Sequence, residues 1–168
     1  MTRSRRLRTA GTASALLLAA VALTGCSGGT VSMKAAPDAN SPLCADVTVR
    51  LPQSVDGQQR RWTDAQATGA WGDPAAVLLT CGVAEPGPST LRCITVGGID
   101  WLVDESESPH YRLTTYGRNP AVEVYVDNEV VSPNNVLDDV RLAVAQLPKD
   151  ADCTAPEAPL DEQDSGTG

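Results

Sequence analysis

The sequence predicts an α+β fold: a single small domain with a mostly antiparallel sheet of about five or six strands, covered by a C-terminal amphipathic helix and tied by two disulfides. Three observations carry that prediction. Strand-like runs follow one another through the middle of the chain. A Gly97-Gly98 pair joins two of them in the manner of a hairpin. The one clear helical stripe comes last, and strands in succession followed by one such helix imply a helix packed on one sheet face.

Taken in order, the chain opens on a leader. Arg3, Arg5, Arg6 and Arg8 precede an apolar stretch that begins at Leu16 and ends in Leu23-Thr24-Gly25-Cys26. The apolar part is about ten residues long, too short for a bilayer core that needs ~20. Leu-Thr-Gly-Cys after a basic start fits the lipobox read by bacterial lipoprotein processing, so residues 1–25 read as a signal peptide and Cys26 as the lipidated residue, carrying acyl chains of the palmitate kind. The alternatives are an ordinary secretory signal cleaved elsewhere, with Cys26 as a stray thiol, and an uncleaved anchor. Arg5-Arg6 also raises twin-arginine export, against which Arg8 stands where that pattern wants a large apolar residue.

Residues 26–42 are small, polar and Pro-containing without periodicity and are expected to form a disordered tether; residues 154–168 read as a disordered acidic tail. The domain is then 43–153. Residues 46–51 alternate, with Val47, Val49 and Leu51 on one face, and predict a half-buried strand ended by Pro52. Residues 53–72 are expected to hold a short helix and a loop, with Trp62 and Trp71 as apolar anchors. Residues 75–83 form a nearly continuous apolar run suited to a central strand buried on both faces. The turn cluster Glu85-Pro86-Gly87-Pro88-Ser89 leads to a strand at 91–96, and Gly97-Gly98 turns it into another at 99–103. Residues 104–109 read as an acidic surface loop. Strands follow at 111–116 and 121–126, the second placing Val122, Val124 and Val126 inward. Ser132 and Pro133 then open a helix whose stripe is Val136, Val140, Ala143, Val144 and Leu147, stopped by Pro148.

Without the leader the chain holds nine basic against twenty-one acidic residues, a net charge of −12. Such a surface repels phosphate backbones, so no nucleic acid partner is expected, and the membrane is met through acyl chains. The five cysteines leave an even set of four once Cys26 is taken by lipid, which allows two disulfides in an oxidising compartment. The expected pairs are Cys81 with Cys93, across the Pro-Gly-Pro reversal, and Cys44 with Cys153, tying the domain's ends. No metal site is expected, since no cysteine pair has zinc-ligand spacing and His110 is the sole histidine.

Trp71-Gly72-Asp73-Pro74 is the most distinctive motif. Asp73 facing Arg60 or Arg61, with Trp71 as a wall, would make a ligand pocket; the competing reading is a core tryptophan followed by a turn. Arg118 between two strands would clamp a carboxylate or solvate a turn. Trp71, Asp73, Tyr116 and Arg118 are accordingly the candidate ligand or partner surface. No catalytic residue is assigned: His110 has no nucleophile motif near it, and no Gly-x-Ser-x-Gly is present. Asp104, Glu105 and Glu107 lack the spacing of a calcium loop. No cofactor is expected.

With those residues assembled, the chain resembles the actinobacterial family of secreted or lipid-anchored proteins of unknown function called DUF3515. The resemblance rests on Arg60-Arg61, on Ala70-Trp71-Gly72-Asp73-Pro74 leading to Cys81-Gly82-Val83, on Gly98-Ile99-Asp100-Trp101, and on the run from Thr114-Thr115-Tyr116-Gly117-Arg118 through Asn119-Pro120-Ala121-Val122-Glu123-Val124. It implies an exported single domain and leaves the activity open. The function expected is a cell-envelope lipoprotein on the outer face of the cytoplasmic membrane, a non-catalytic binding or structural module for an envelope protein or cell-wall component. The alternative is a small hydrolase or wall-modifying enzyme with Asp73 or Asp100 as base.

Overall fold

The computed structural model describes residues 29–160; the leader, Cys26 and residues 161–168 lie outside it. Ten elements follow in chain order: α1 (Pro42–Val49), β1 (Ser54–Val55), β2 (Gln58–Arg61), β3 (Thr68–Trp71), β4 (Val77–Val83), β5 (Arg92–Val96), β6 (Ile99–Glu107), β7 (His110–Thr115), β8 (Ala121–Asp127) and α2 (Pro133–Val144). The strands form one sheet of order β1-β2-β3-β4-β8-β7-β6-β5, antiparallel at each junction. Two meanders, β1 to β4 and β5 to β8, therefore meet where β4 pairs with β8.

That junction follows from alternation. Val77, Leu79 and Cys81 of β4 and Val122, Val124 and Val126 of β8 all point to one face and are fully buried, with Leu79 opposite Val124 and Cys81 opposite Val122. Both helices cover this face: α1 lies on β4, while α2 touches α1, β1 and β5. On α2, Val136, Leu137, Val140, Ala143 and Val144 are buried. Each of these valine and leucine side chains removed from water contributes about 1.5–3 kcal/mol. The opposite sheet face carries half-exposed Leu78, Thr80, Arg112, Glu123 and Tyr125, as an antiparallel sheet with one wet side allows. Central β4 is accordingly buried on one face only.

Several expectations are corrected, beginning with the strand count: the sheet has eight strands among the described residues, not five or six. Residues 46–51 form no strand: 42–49 is helical, with Pro42 in its first turn, because buried Cys44, Val47 and Leu51 recur at the i, i+3, i+7 spacing of a helix. The alternation of valines there is incidental, and Val49 is exposed. The helix expected within 53–72 is absent. Val55 pairs with Gln58, so Asp56 and Gly57 form a two-residue turn with φ of 42° and 77°, the geometry of a type I′ hairpin. Asp56 also fastens this hairpin to α2: its Oδ2 accepts from Ser132 N at 2.7 Å and its Oδ1 from Asn135 Nδ2 at 3.0 Å. The acidic loop is instead the end of a long hairpin, with Glu107 opposite His110.

Neither flank is free where it is described. Val31 N donates to Trp62 O at 2.8 Å, Asp38 N donates to Gly82 O at 3.0 Å, and Ala39 is buried, so 29–42 is packed chain and not a tether. Gly82, at φ 96°, permits this approach: a Cβ there would lie 2.5 Å from the Asp38 backbone. Past Cys153, Glu157 N donates to Cys93 O at 2.7 Å and the partly buried Leu160 packs on the core.

The disulfides are Cys44–Cys81 and Cys93–Cys153, with Cα separations of 5.6 and 6.3 Å. The expected Cys81–Cys93 and Cys44–Cys153 pairs are thus both overturned. A chain reversal after β4 would have set β5 beside it, but β8, β7 and β6 intervene. Four strand spacings, roughly 19 Å, separate the two strands, beyond the ~7 Å limit for a bridge.

Candidate functional site

The four residues expected to share a surface are dispersed. Trp71 is fully buried, and its Nε1 donates to Pro52 O at 3.1 Å. Asp73 lies outside, beside the start of β4, where its carboxylate meets Arg61 Nη1 at 2.6 Å. Tyr116 and Arg118 stand at the opposite end of the sheet, past β7 and before β8. Tyr116 borders a groove of about 220 Å³ beside the Cys93–Cys153 bridge. Arg118 is buried and donates to Leu147 O; it neither clamps a ligand nor solvates a turn, but holds the chain leaving α2. Gly117, at φ 63°, makes room for that chain, since a Cβ there would strike the Ala151 carbonyl.

The two carboxylates considered as bases are also committed. Asp100 is buried; its Oδ1 accepts from Thr95 Oγ1 at 2.6 Å and its Oδ2 from Cys153 N at 3.0 Å. It fastens the C-terminal segment to the β5–β6 hairpin. Asp73 and Asp100 share no cleft.

A site does form where Arg60 and Arg61 lead into Trp62. The end of β2, the end of α1 at Thr48, Gln53 and the loop at 62–67 enclose a cleft of about 530 Å³. Arg60 Nη1 reaches back to Leu51 O at 3.1 Å, and Thr68 Oγ1 donates to Ala65 O at 2.6 Å, pinning the loop. Burial draws water from Arg60 and lowers its pKa from the ordinary value, and no carboxylate lies within ion-pair distance of it among the described residues. Arg61 behaves otherwise: besides Asp73 it binds Gly72 O at 3.1 Å and Gly29 O at 2.6 Å. The sequence left Asp73 facing either Arg60 or Arg61, and the structure selects Arg61; the wall was not legible. Trp62, expected as an apolar anchor, is 82% exposed. Its sequence neighbours are polar and it follows the end of β2, near the sheet edge, so no core face was available to it.

The second cluster lies on the open sheet face. Arg112 sits between Glu123 (2.9 Å) and Glu107 (3.3 Å), with its guanidinium 5.0 Å from the centre of the Tyr125 ring. Burial acts to lower the Arg112 pKa, but the two glutamates outweigh it and raise it. The Tyr125 hydroxyl donates to Glu107 Oε2 at 3.0 Å, and burial together with that bond raises its pKa. His110 stacks on Tyr125 at 5.4 Å. Beside them a groove of about 240 Å³ runs between Met33, Leu78 and Thr80. Tyr and Arg presented on a flat face are the residue types that anchor protein partners. The cross-strand spacing of Arg112, Glu123 and Tyr125 becomes visible only once β7 and β8 are paired.

Among the described residues no His, Cys, Asp and Glu group of three or more is placed to hold a metal ion, and no helix is long and apolar enough to cross a membrane. A family model described as protein of unknown function (DUF3515) matches residues 9–152. Neither the curated proteins nor the solved structures yield a significant match.

Proposed function

The chain belongs to the DUF3515 family, and from that premise we propose that it is a cell-envelope lipoprotein whose folded part is a non-catalytic binding module at the outer face of the cytoplasmic membrane. The observation that carries this reading is the cysteine bookkeeping. The four cysteines of the folded part are consumed pairwise, Cys44 with Cys81 and Cys93 with Cys153, so Cys26 alone is left to take lipid. Two disulfides fit an exported, oxidising setting, and Cys26 closes a lipobox behind a short apolar leader. The same reading treats the molecule as one α+β domain with α2 as its amphipathic cover. The Arg112–Tyr125 face supplies the surface for an envelope protein or cell-wall component.

The test is metabolic labelling with a fatty acid, followed by mass measurement of the processed protein. Label on wild type and none on Cys26→Ala, with release of the variant or retention of its precursor, is the expected result. A correctly processed, membrane-retained wild type without acyl mass would overturn the reading.

A further inference from the structure

Cys26 stands three residues ahead of Gly29, and Gly29 is already fixed to the domain through Arg61 Nη2 at 2.6 Å. Two residues on, Val31 N donates to Trp62 O at 2.8 Å. A chain advances at most ~3.5 Å per residue, so three residues of chain reach roughly 10 Å at the most. From Gly29 on, the residues expected to supply a spacer are packed on the fold.

The face that meets the chain at this point has an interfacial character. Trp62 is 82% exposed and borders the cleft together with Thr48 of α1. Arg60 brings a guanidinium without a carboxylate partner among the described residues. Of the acidic groups nearby, Asp73 is paired with Arg61, while Asp64 is held by the neutral donors Ser32 Oγ at 2.9 Å and Met33 N at 2.8 Å and keeps its charge. Tryptophan with an apolar body and a polar edge, next to arginine, is the composition that settles at headgroup level.

We propose that in the lipidated protein this face, Trp62 with Arg60, seats directly on the phospholipid surface, Trp62 at headgroup depth and Arg60 toward lipid phosphate. The seat rests on lipidation of Cys26. Attachment comes from the acyl chains, and the short leash with this face sets the orientation, since the acidic remainder of the molecule has no attraction for lipid phosphates.

The three tryptophans make the test selective, because Trp71 and Trp101 are fully buried and only Trp62 meets solvent. Full-length processed protein, its acyl mass verified, is reconstituted into vesicles of phosphatidylcholine and phosphatidylglycerol. Lipids brominated near the headgroup end of their chains should quench the emission component that Trp62→Phe removes, and acrylamide should quench it less than in detergent. Acyl-bearing protein whose Trp62 stays open to acrylamide, or is shielded without quenching by brominated lipid, overturns the seat while leaving the anchor standing. Absence of acyl mass on Cys26 overturns both.

Discussion

Cys44 on α1 is bonded to Cys81 in the middle of the sheet, a link that clamps the first helix onto β4 inside the core. Both residues are fully buried, whereas Cys93 and Cys153 are only half-buried and border an open groove. Thiol–disulfide exchange needs access for the attacking thiolate. Mild reduction of the native protein should therefore open Cys93–Cys153 first, and alkylation with peptide mapping reads the order. Simultaneous labelling of all four cysteines would contradict it.

Sequence separations of 37 and 60 for the two bridges give closely similar chain-entropy contributions of about 4 kcal/mol each. Burial then decides between them. Cys81→Ser leaves a hydroxyl and a lone thiol in the core, so it should lower the melting temperature more than Cys93→Ser despite closing the shorter loop. Equal melting temperatures would show that loop entropy alone governs.

Arg118→Ala removes the buried donor to Leu147 O and should cost about 2 kcal/mol in denaturant unfolding, the worth of a charged hydrogen bond. The loss is local. Faster amide exchange at Asp150, whose N–H donates to Gly117 O at 2.9 Å, should accompany it. Unchanged exchange there would mean that Arg118 does not hold the segment.

Asp64 receives hydrogen bonds from Met33 N and Ser32 Oγ, which lower its pKa below the ordinary 3.8. A lowered carboxylate contributes above its unfolded pKa and stops contributing as pH falls through the folded one. Docking of residues 31–33 should thus be full at neutral pH and loosen only below about pH 3.8. Asp64→Asn should mimic acid at pH 7, raising amide exchange at Met33. Exchange that is the same in both proteins would remove Asp64 from the docking.

Val140→Asp places an unpaired charge at a fully buried position of α2. A destabilisation of about 4 kcal/mol is expected by denaturant titration. A variant that unfolds like wild type would mean that this stripe does not bear on the core.

The elements legible in the sequence were those whose signal is local. Val122, Val124 and Val126 alternate as a strand with one buried face must, Gly97 and Gly98 turn β5 into β6, and Pro133 opens the helix at the residue expected. Asp56-Gly57 carried an equally local hairpin signal that the helix-forming glutamines beside it masked. At 46–51 two periods competed, and the helical one prevailed because it includes Cys44. For the candidate site, the motif set Asp73 against Arg60 or Arg61 without choosing between them, and exposure of Trp62 could not be read at all, because a tryptophan's burial depends on what is packed against it.

By itself the sequence placed strands β4 to β8 and the inward face of β8, the last helix, the acidic balance and the count of cysteines available for pairing. Only the tertiary structure decided that β4 takes β8 and not β5 as its neighbour, and with that the disulfide partners, the Arg112–Tyr125 face and the separation of Asp73 from Tyr116. The reason is physical. A period of two tells a strand which side to bury, but backbone N–H and C=O groups offer the same ladder to any strand, so the choice of neighbour falls to packing between residues far apart in the chain.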